Sequence, residues 1–185
     1  MSSTLDTKTR FVYHHVPVNL TGSVLYPLNQ LKQVYPEVGV VHLKKYQGRE
    51  ALLSQRIPRL NCLWNDVLHF SPVHPAKIKA AREEAGHTFG SRRWRYFEVD
   101  ATFFSPDNAV IWEYRERQGP HFPIDESECL SYDPRLLVKY TEVGEWTRRY
   151  YAGIKPGARV LPYIGVAHVL YKGHFNVEGV KIIEV

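Results

Sequence analysis

The chain has 185 residues, of which 44% are apolar and 23% charged, and its formal net charge is +5. This length and composition exclude a disordered chain and predict a folded globular protein with a core of its own. The polar start, residues 1–10, lacks the apolar stretch of a secretory signal, and no apolar run reaches the roughly 20 residues of a transmembrane helix. We therefore expect a cytoplasmic protein without a membrane partner, whose moderate positive charge favours polyanionic ligands.

Cysteine and aromatic residues set further limits. Cys62 and Cys129 are too few for a disulfide framework and have no neighbouring Cys or His at zinc-binding spacing, so both are expected to be reduced, partly buried thiols. Aromatic residues reach 13%, with 12 Tyr and 4 Trp. That is more than a core of this size requires, and such rings are suited to stacking on bases or nucleotides.

The first third of the chain predicts one strand and two helical stretches. RFVYHHVPV, residues 10–18, is typical of a strand that ends at Pro17. Pro27 marks the first turn of a helix, because apolar residues follow it at helical spacing. A second helical stretch is expected over residues 41–55, where Gly48 weakens it.

The middle of the chain alternates strands and helices. LWNDVLHFSPVHP, residues 63–75, predicts a short strand stopped by two prolines. A helix is expected from Pro75 to Gly86, and RRWRYFEVDATFF, residues 92–104, predicts an alternating, aromatic-rich strand. After a turn, residues 109–119 fit either a strand or a short helix.

The last third predicts a helix followed by two strands. Asp133 is the expected N-cap of a helix with an apolar stripe. The stripe consists of Leu136, Leu137, Tyr140, Val143 and Trp146. YIGVAHVLYKG, residues 163–173, predicts a buried strand with His168 in its middle, and a second strand follows the linker at residues 172–179. This order predicts an α+β fold: a single domain over residues 10–185, with a twisted, mixed or mostly antiparallel sheet core and flanking helices, after a flexible N-terminus at residues 1–9.

Several common chemical signatures are missing from the sequence. The chain has nine histidines but no HExxH or similar pair, so the sequence does not support a zinc site. A metal site built from distant histidines stays open. The sequence also lacks a Gly-rich phosphate loop, a GxSxG elbow, and the kinase and Rossmann signatures.

Four segments hold the polar residues best suited to chemistry: residues 13–20, 56–75, 99–110 and 163–173. Each also has a purely structural interpretation, which stays open. The first would combine a solvent-facing histidine with a core histidine, and the second an ion pair between Arg56 and Asp66 at a strand end. The third is typical of a Ser-Pro-Asp-Asn turn, and the fourth of a core histidine with its hydrogen bonds satisfied.

In order and spacing, the four segments resemble the motifs of the ADP-ribosyltransferase superfamily, and within it the DarT-type toxins that modify DNA. The family's first-strand motif is matched here by Tyr13, His14, Asn19 and Leu20. Arg56 precedes LWNDVLHFSP, which is similar to the family's LxDYVPFYF-like strand, and FFSPDNAV is similar to its FVFSDxNA-like segment. AHVLY, residues 167–171, stands at the family's AEFLV, so that His168 occupies the position of the catalytic Glu.

The resemblance implies an ADP-ribosyltransferase-like fold and an NAD-dependent glycosyltransferase. NAD would be its substrate, with the ADP-ribose group passed to a nucleobase of DNA or RNA by a toxin or a phage-defence component. The resemblance assigns the positioning of the dinucleotide to His14 or His15 together with Asn19. It assigns phosphate pairing to Arg56, whose planar fork of donors suits an anion. Phe70 would flank a ring of NAD, although core packing also accounts for a phenylalanine there.

Whether the resemblance implies an enzyme or a binding protein depends on the chemistry of His168. A neutral imidazole can act as a general base, but it lacks the negative charge that stabilises an oxocarbenium-like transition state. Three interpretations stay open. The acid is instead Glu113, Glu178 or Glu184; or His168 is catalytic, together with Arg56, in modified chemistry; or the fold is a binding module without activity.

Three segments interleave arginine with aromatic residues, as surfaces for single-stranded nucleic acid do. The predicted nucleic-acid contacts are Arg92, Arg93, Trp94, Arg95, Arg148 and Arg149. The same pattern is typical of amphipathic surface stretches whose rings point inward. The expected partners are single-stranded DNA or RNA and, for a toxin, a restraining antitoxin protein. The alternative function is a non-catalytic nucleic-acid-binding domain, or a nuclease that relies on a histidine pair such as His69 and His168.

Overall fold

Two antiparallel β-sheets form the frame of the protein. The computed structural model describes residues 11–88, 93–116, 123–155, 157–158 and 160–185, so the expected flexible segment, residues 1–9, lies outside the described residues. In chain order the strands are β1 (Phe11–His15), β2 (Val24–Leu25), β3 (Arg56–Ile57), β4 (Cys62–Leu63), β5 (Val67–Phe70), β6 (Arg95–Asp100), β7 (Ala109–Trp112), β8 (Cys129–Ser131), β9 (His168–Lys172), β10 (Phe175–Asn176) and β11 (Ile182–Glu184). The α-helices are α1 (Leu28–Val34), α2 (Pro36–Leu43), α3 (Pro75–Glu84) and α4 (Glu145–Gly153). None of these described helices combines the length and apolar character that crossing a bilayer requires.

The strands pair into a three-stranded sheet, in the order β1-β6-β11, and a four-stranded sheet, in the order β5-β9-β7-β8. Two short ribbons, β2 with β10 and β3 with β4, complete the pairing, and the paired strands of the described chain are all antiparallel. The sheets meet where the backbone N–H of Tyr13 donates to the carbonyl of Ser71 (2.8 Å) and the N–H of Ser71 donates to that of Tyr13 (2.9 Å). This mixture of helices and antiparallel sheets confirms the predicted α+β class.

Alternation along the strands places an apolar layer on each face of the four-stranded sheet. On β9, Val169 and Tyr171 pack into the layer shared with the three-stranded sheet, whereas Leu170 packs into a separate layer. Phe70 of β5 and Val12 of β1 belong to the shared layer. Because β9 is covered on both faces, its middle is continuously apolar instead of alternating.

Local signals in the sequence mark several elements correctly. Pro27 directly precedes α1, and Pro75 is the first residue of α3. Gly86 follows α3 with a φ of +84°, a backbone conformation that glycine adopts at little cost. Residues 109–119, for which a strand and a helix were both open, begin with strand β7.

The helix expected over residues 41–55 is only partly formed. α2 ends at Leu43, and two 3-10 turns follow, at residues 44–46 and 50–54. Gly48 lies between them with a φ of +75°. A left-handed residue cannot continue a right-handed helix, so this glycine interrupts the helix instead of merely weakening it.

The apolar stripe after Asp133 belongs to two helical segments and not to one. Pro134–Tyr140 is a 3-10 segment, and α4 begins only at Glu145. Leu137 packs into the layer shared by the two sheets, whereas Val143 packs against α3 and α4 residues in a different cluster. The single-helix prediction was wrong because the two ends of the stripe bury against different parts of the core.

The strand expected over residues 163–173 starts only at His168, which is therefore its first residue and not its middle. Gly165 precedes it with a φ of +73°, and a Cβ atom there would lie 2.2 Å from Cε3 of Trp146. The chain needs this glycine to turn closely past the indole ring before it enters the sheet.

Candidate functional site

A cavity of about 210 Å³ lies beside the junction of the two sheets. His14 of β1 and His69 of β5 line it from the sheets, and Tyr35 and His42 line it from the helical segment. Asn65, in the turn between β4 and β5, completes this part of the wall. The cavity is thus assembled from segments that lie far apart in the sequence.

A chain of hydrogen bonds holds the one cationic group of the wall in place. Lys45 Nζ donates to His42 Nδ1 (3.3 Å), and His42 Nε2 donates to Asn19 Oδ1 (3.0 Å). This arrangement requires a neutral His42, and burial and then the charge of Lys45 lower the pKa of its imidazole. Among the described residues that line the cavity, Lys45 is the only lysine or arginine and none is a carboxylate. The cavity therefore favours an anionic ligand over a cationic one.

Two largely buried histidines present uncharged rings to the cavity. His14 Nδ1 donates to the carbonyl of His15 (2.8 Å), which leaves Nε2 of His14 as an acceptor. Burial lowers the pKa of His14 to about 4. Burial, and then the neighbouring His168, lower the pKa of His69 to about 3. Both rings are therefore neutral at pH 7.

Aromatic rings supply flat surfaces along the wall, from Tyr26, Tyr35, Tyr46 and Trp64. Tyr26 and Tyr35 meet edge to face with their ring centroids 6.3 Å apart, and Trp64 lies against His69 at 4.4 Å. Rings of this kind are the usual stacking partners of nucleobases.

His168 lies behind His69. The His168 ring contacts His69 at 5.9 Å and Trp112 at 5.6 Å between centroids. Trp64 contacts both His69 and Trp112, the latter at 5.2 Å, so two histidines and two tryptophans form a closed cluster of four rings. Burial lowers the pKa of His168 to about 4. His168 is not among the described residues that line the cavity, and it contacts the cavity wall through the ring of His69.

Arg56 lies outside this cavity. Its exposed guanidinium donates to Asn61 Oδ1, and the residue lines a separate cavity of about 440 Å³ together with Pro58 and Ile124. The ion pair with Asp66 that the sequence left open is replaced by other contacts. The Asp66 carboxylate instead accepts from Asn29 and from the backbone of Leu63.

Of the remaining residues proposed for NAD, His15 and Asn19 line the cavity together with His14. Phe70 is fully buried and packs under the ring of His14 at 5.2 Å. The structure thus brings His14, His15 and Asn19 together, places Phe70 beneath them, and separates them from Arg56.

The three alternative acids all lie away from the cavity. Glu113 accepts a hydrogen bond from the hydroxyl of Tyr140, and Glu184 forms an ion pair with Arg93 (3.0 Å). Glu178 is exposed in the loop between β10 and β11. Each of these carboxylates has a structural or solvent-facing position.

The predicted nucleic-acid contacts are compensated by acidic neighbours. Arg93 and Arg95 both pair with Glu184, at 3.0 and 3.8 Å. Arg148 pairs with Glu84, and Arg149 pairs with Glu116 (3.1 Å) and Glu145 (3.2 Å). Trp94 stacks on the guanidinium of Arg82 at 4.8 Å, and Arg92 lies outside the described residues. Each of these four described arginines already has an acidic partner, which lowers the net positive charge that this surface offers to phosphate.

The rings that alternate with these arginines point mostly into the protein. Tyr96 and Phe97 on β6 and Tyr151 on α4 are buried. This is the arrangement of an amphipathic surface stretch, the second interpretation that the sequence left open.

Within the described ranges, no three His, Cys, Asp or Glu side chains come together as ligands for a metal ion. Cys62 and Cys129 are free and buried, and burial raises the pKa of each thiol to about 11. Both are therefore protonated and unreactive at pH 7, in agreement with the sequence prediction.

His42, Lys45 and Asn65 line the cavity but were not selected from the sequence. His42 and Lys45 lie in an interrupted helical stretch of mixed charge, which is typical of a solvated surface. Asn65 is a lone amide inside LWNDV. Only a prediction that the segment around residues 28–46 packs over β1 and β5 could have identified them.

No family model matches the chain, and no curated protein or solved structure shows significant similarity to it.

Proposed function

We propose that the chain binds NAD in this cavity and transfers its ADP-ribose group to a nucleobase of single-stranded DNA or RNA. The observation that carries the proposal is the composition of the cavity wall: a held lysine ammonium, neutral imidazoles and aromatic rings, without a carboxylate among the described lining residues. A dinucleotide needs all three features. The ammonium serves its diphosphate, the imidazoles serve its ribose hydroxyls, and the aromatic side chains serve its rings. The proposed fold is that of the ADP-ribosyltransferases, with β1 and β5 flanking the cavity.

The proposed roles follow from where each group lies. The Lys45 ammonium, at the exposed rim, attracts the diphosphate, and Tyr26 and Tyr35 provide faces for a ring. A cavity of about 210 Å³ is smaller than the usual site for a whole drug-sized ligand. One nucleoside unit therefore enters the cavity, and the other lies along the rim.

The proposed transfer breaks the bond between ribose C1′ and the nicotinamide nitrogen. The bonding electron pair leaves with nicotinamide, which departs uncharged, and a nitrogen of the acceptor base bonds to C1′. The proton of that nitrogen passes to the neutral imidazole of His69, with His168 behind it as a positioning residue. The anionic diphosphate favours the protonated form of His69 in the complex.

A histidine-based nuclease is less compatible with the same pair. Such an enzyme needs one protonated imidazole as the acid and one neutral imidazole as the base. Burial keeps both His69 and His168 neutral at pH 7, because their pKa values are lowered to about 3 and about 4. The pair therefore supplies a proton acceptor and no proton donor.

Replacement of Lys45 with alanine is expected to weaken NAD binding by about tenfold or more, since it removes a charge-assisted contact to phosphate. Arg56→Ala serves as the matched control: it also removes one cation, but from outside the cavity, and should change the affinity less than threefold. Isothermal titration calorimetry with NAD measures both variants. If the wild-type protein gives neither heat nor a thermal shift with excess NAD, the proposed function is wrong. A tenfold loss with Arg56→Ala would instead place the diphosphate at the other cavity.

Binding of a single-stranded oligonucleotide is expected to weaken linearly with the logarithm of the salt concentration. The slope of that dependence reports the number of counterions released on binding. In the double variant Arg148→Ser with Arg149→Ser, this number should fall by about one to two. Fluorescence anisotropy at about 50 to 200 mM salt measures the slope. Affinity that stays constant over this range would rule out a phosphate-contacting surface and, with it, a nucleic-acid acceptor.

A further inference from the structure

One residue of the cavity wall carries an unsatisfied acceptor. Asn65 is 3% exposed, and its Oδ1 atom is buried without a hydrogen-bond partner in the described chain. Asn65 also lines the cavity. Buried polar atoms almost always have partners in folded proteins, so an orphan acceptor at a cavity marks the place of a missing donor.

The turn that holds Asn65 is fixed on both sides. The Asp66 carboxylate accepts the backbone N–H of Leu63 (2.8 Å) and the side-chain amide of Asn29 on α1 (2.7 Å). The backbone N–H of Trp64 donates to the carbonyl of Gln55 (2.8 Å). These bonds fix the backbone on both sides of Asn65. Because Oδ1 itself has almost no accessible surface, a small rotation of the Asn65 side chain must accompany its contact with a ligand.

The unpaired Oδ1 atom of Asn65 also lowers the stability of the unliganded fold. A buried acceptor that has lost its hydrogen bond to water on folding, and has gained no partner within the protein, destabilises the folded state. Binding sites often contain polar groups that destabilise the unliganded fold, because those groups find their partners only in the ligand. A destabilising residue that borders a cavity is therefore a candidate binding residue. Thr147 offers a useful contrast: its Oγ1 atom is likewise buried without a partner, but Thr147 is fully buried in α4 and lies outside the cavity wall.

We infer that Asn65 Oδ1 accepts a hydrogen bond from an N–H group of the bound ligand and so selects ligands that carry an amide or an exocyclic amine at that point. If the proposed function holds, on which the choice of NAD rests, two groups of NAD qualify. They are the carboxamide of nicotinamide and the 6-amino group of adenine, and each can be removed without altering the rest of the dinucleotide.

Analogues of NAD test the inference and identify the group. Nicotinic acid adenine dinucleotide lacks the amide N–H, and nicotinamide hypoxanthine dinucleotide lacks the amino group. Calorimetry should show a loss of about tenfold or more for one analogue with the wild-type protein, and little loss for the other. With Asn65→Leu, NAD should bind as weakly as that analogue, and the difference between the two should disappear.

Thermal unfolding without ligand supplies the second readout. Asn65→Leu removes the orphan acceptor at similar volume and should raise the Tm by about 2–4 °C, whereas removal of an acceptor with a hydrogen-bond partner inside the protein would lower it. Thr147→Val is the matched control, since it also removes a buried orphan oxygen. It should raise the Tm as well, while the affinity for NAD stays unchanged.

The outcomes separate this inference from the proposed function. If NAD binds but Asn65→Leu binds NAD and both analogues as the wild type does, the inference is overturned and the proposed function stands. Free nicotinamide and adenosine are titrated as well. If one of them binds in an Asn65-dependent manner while NAD does not bind, the inference stands and the proposed function falls. If none of these compounds binds, both are overturned.

Discussion

Phe70→Ala is expected to lower the free energy of unfolding by about 3–5 kcal/mol. Phe70 is fully buried, and its ring contacts Phe104 at 4.9 Å and Phe175 at 5.7 Å in the layer between the two sheets. Truncation would leave a cavity where β1 and β5 meet, and the surrounding strands cannot collapse into it without losing their pairing. For a protein of ordinary stability, this is a large part of the total.

Urea unfolding of the variant at pH 7.5 measures this loss. Phe70→Leu is the control, since it retains most of the apolar volume and should cost less than about 1.5 kcal/mol. The resemblance that assigns Phe70 to a ring of NAD makes the opposite prediction. In that case Phe70→Ala would weaken ligand binding while the unfolding free energy stayed nearly unchanged.

The protein is also expected to lose about 5 kcal/mol of stability between pH 7 and pH 5, because His14, His69 and His168 must stay neutral in the folded state. The pKa of an exposed histidine is about 6.5, and burial lowers the pKa values of these three to about 4, 3 and 4. Below pH 6.5 the unfolded chain binds protons that the folded chain does not. Stability is therefore complete above pH 6.5 and falls steadily towards pH 4.

Urea titrations at pH 7, 6 and 5 test the acid sensitivity. His168→Gln should reduce the slope of unfolding free energy against pH by about one third, because it removes one of the three histidines whose pKa values are lowered most. His74→Asn is the control: His74 caps α3 by accepting the N–H of Ala76, and asparagine retains such an acceptor. In His74→Asn, the slope of unfolding free energy against pH should change much less. A slope that is the same in wild type and His168→Gln would show that His168 is not held neutral by burial.

The sequence by itself predicted those elements whose signals are local. Pro75 and Gly86 bound α3, the alternation in RRWRYFEVD predicts β6, and the tyrosine and histidines of RFVYHHVPV lie in β1. These signals depend on the φ angle of one residue or on a repeat of two or four residues. Such preferences act over one turn or one strand and need no knowledge of the rest of the chain.

Helix continuity was decided by packing instead. The stripe from Leu136 to Trp146 has regular spacing, yet Leu137 and Val143 bury in different clusters, and the chain breaks between them. Periodicity states that a face is apolar but does not state what covers it. Because the two ends of the stripe pack against different clusters, they need two helical segments with different axes.

The candidate site depended most on the tertiary structure. Its sequence-predicted members, His14, His15 and Asn19, lie in one segment near the start of the chain, where the motif itself keeps them together. Lys45 and Asn65 join them only because the segment after β2 packs across β1 and β5 and because the Asp66 carboxylate fixes the turn before β5. Arg56 is excluded for the same kind of reason, since the β3–β4 ribbon directs it to another cavity. The sequence alone determined which side chains have suitable chemistry, whereas long-range contacts decided which of them share one cavity, and no local pattern encodes such contacts.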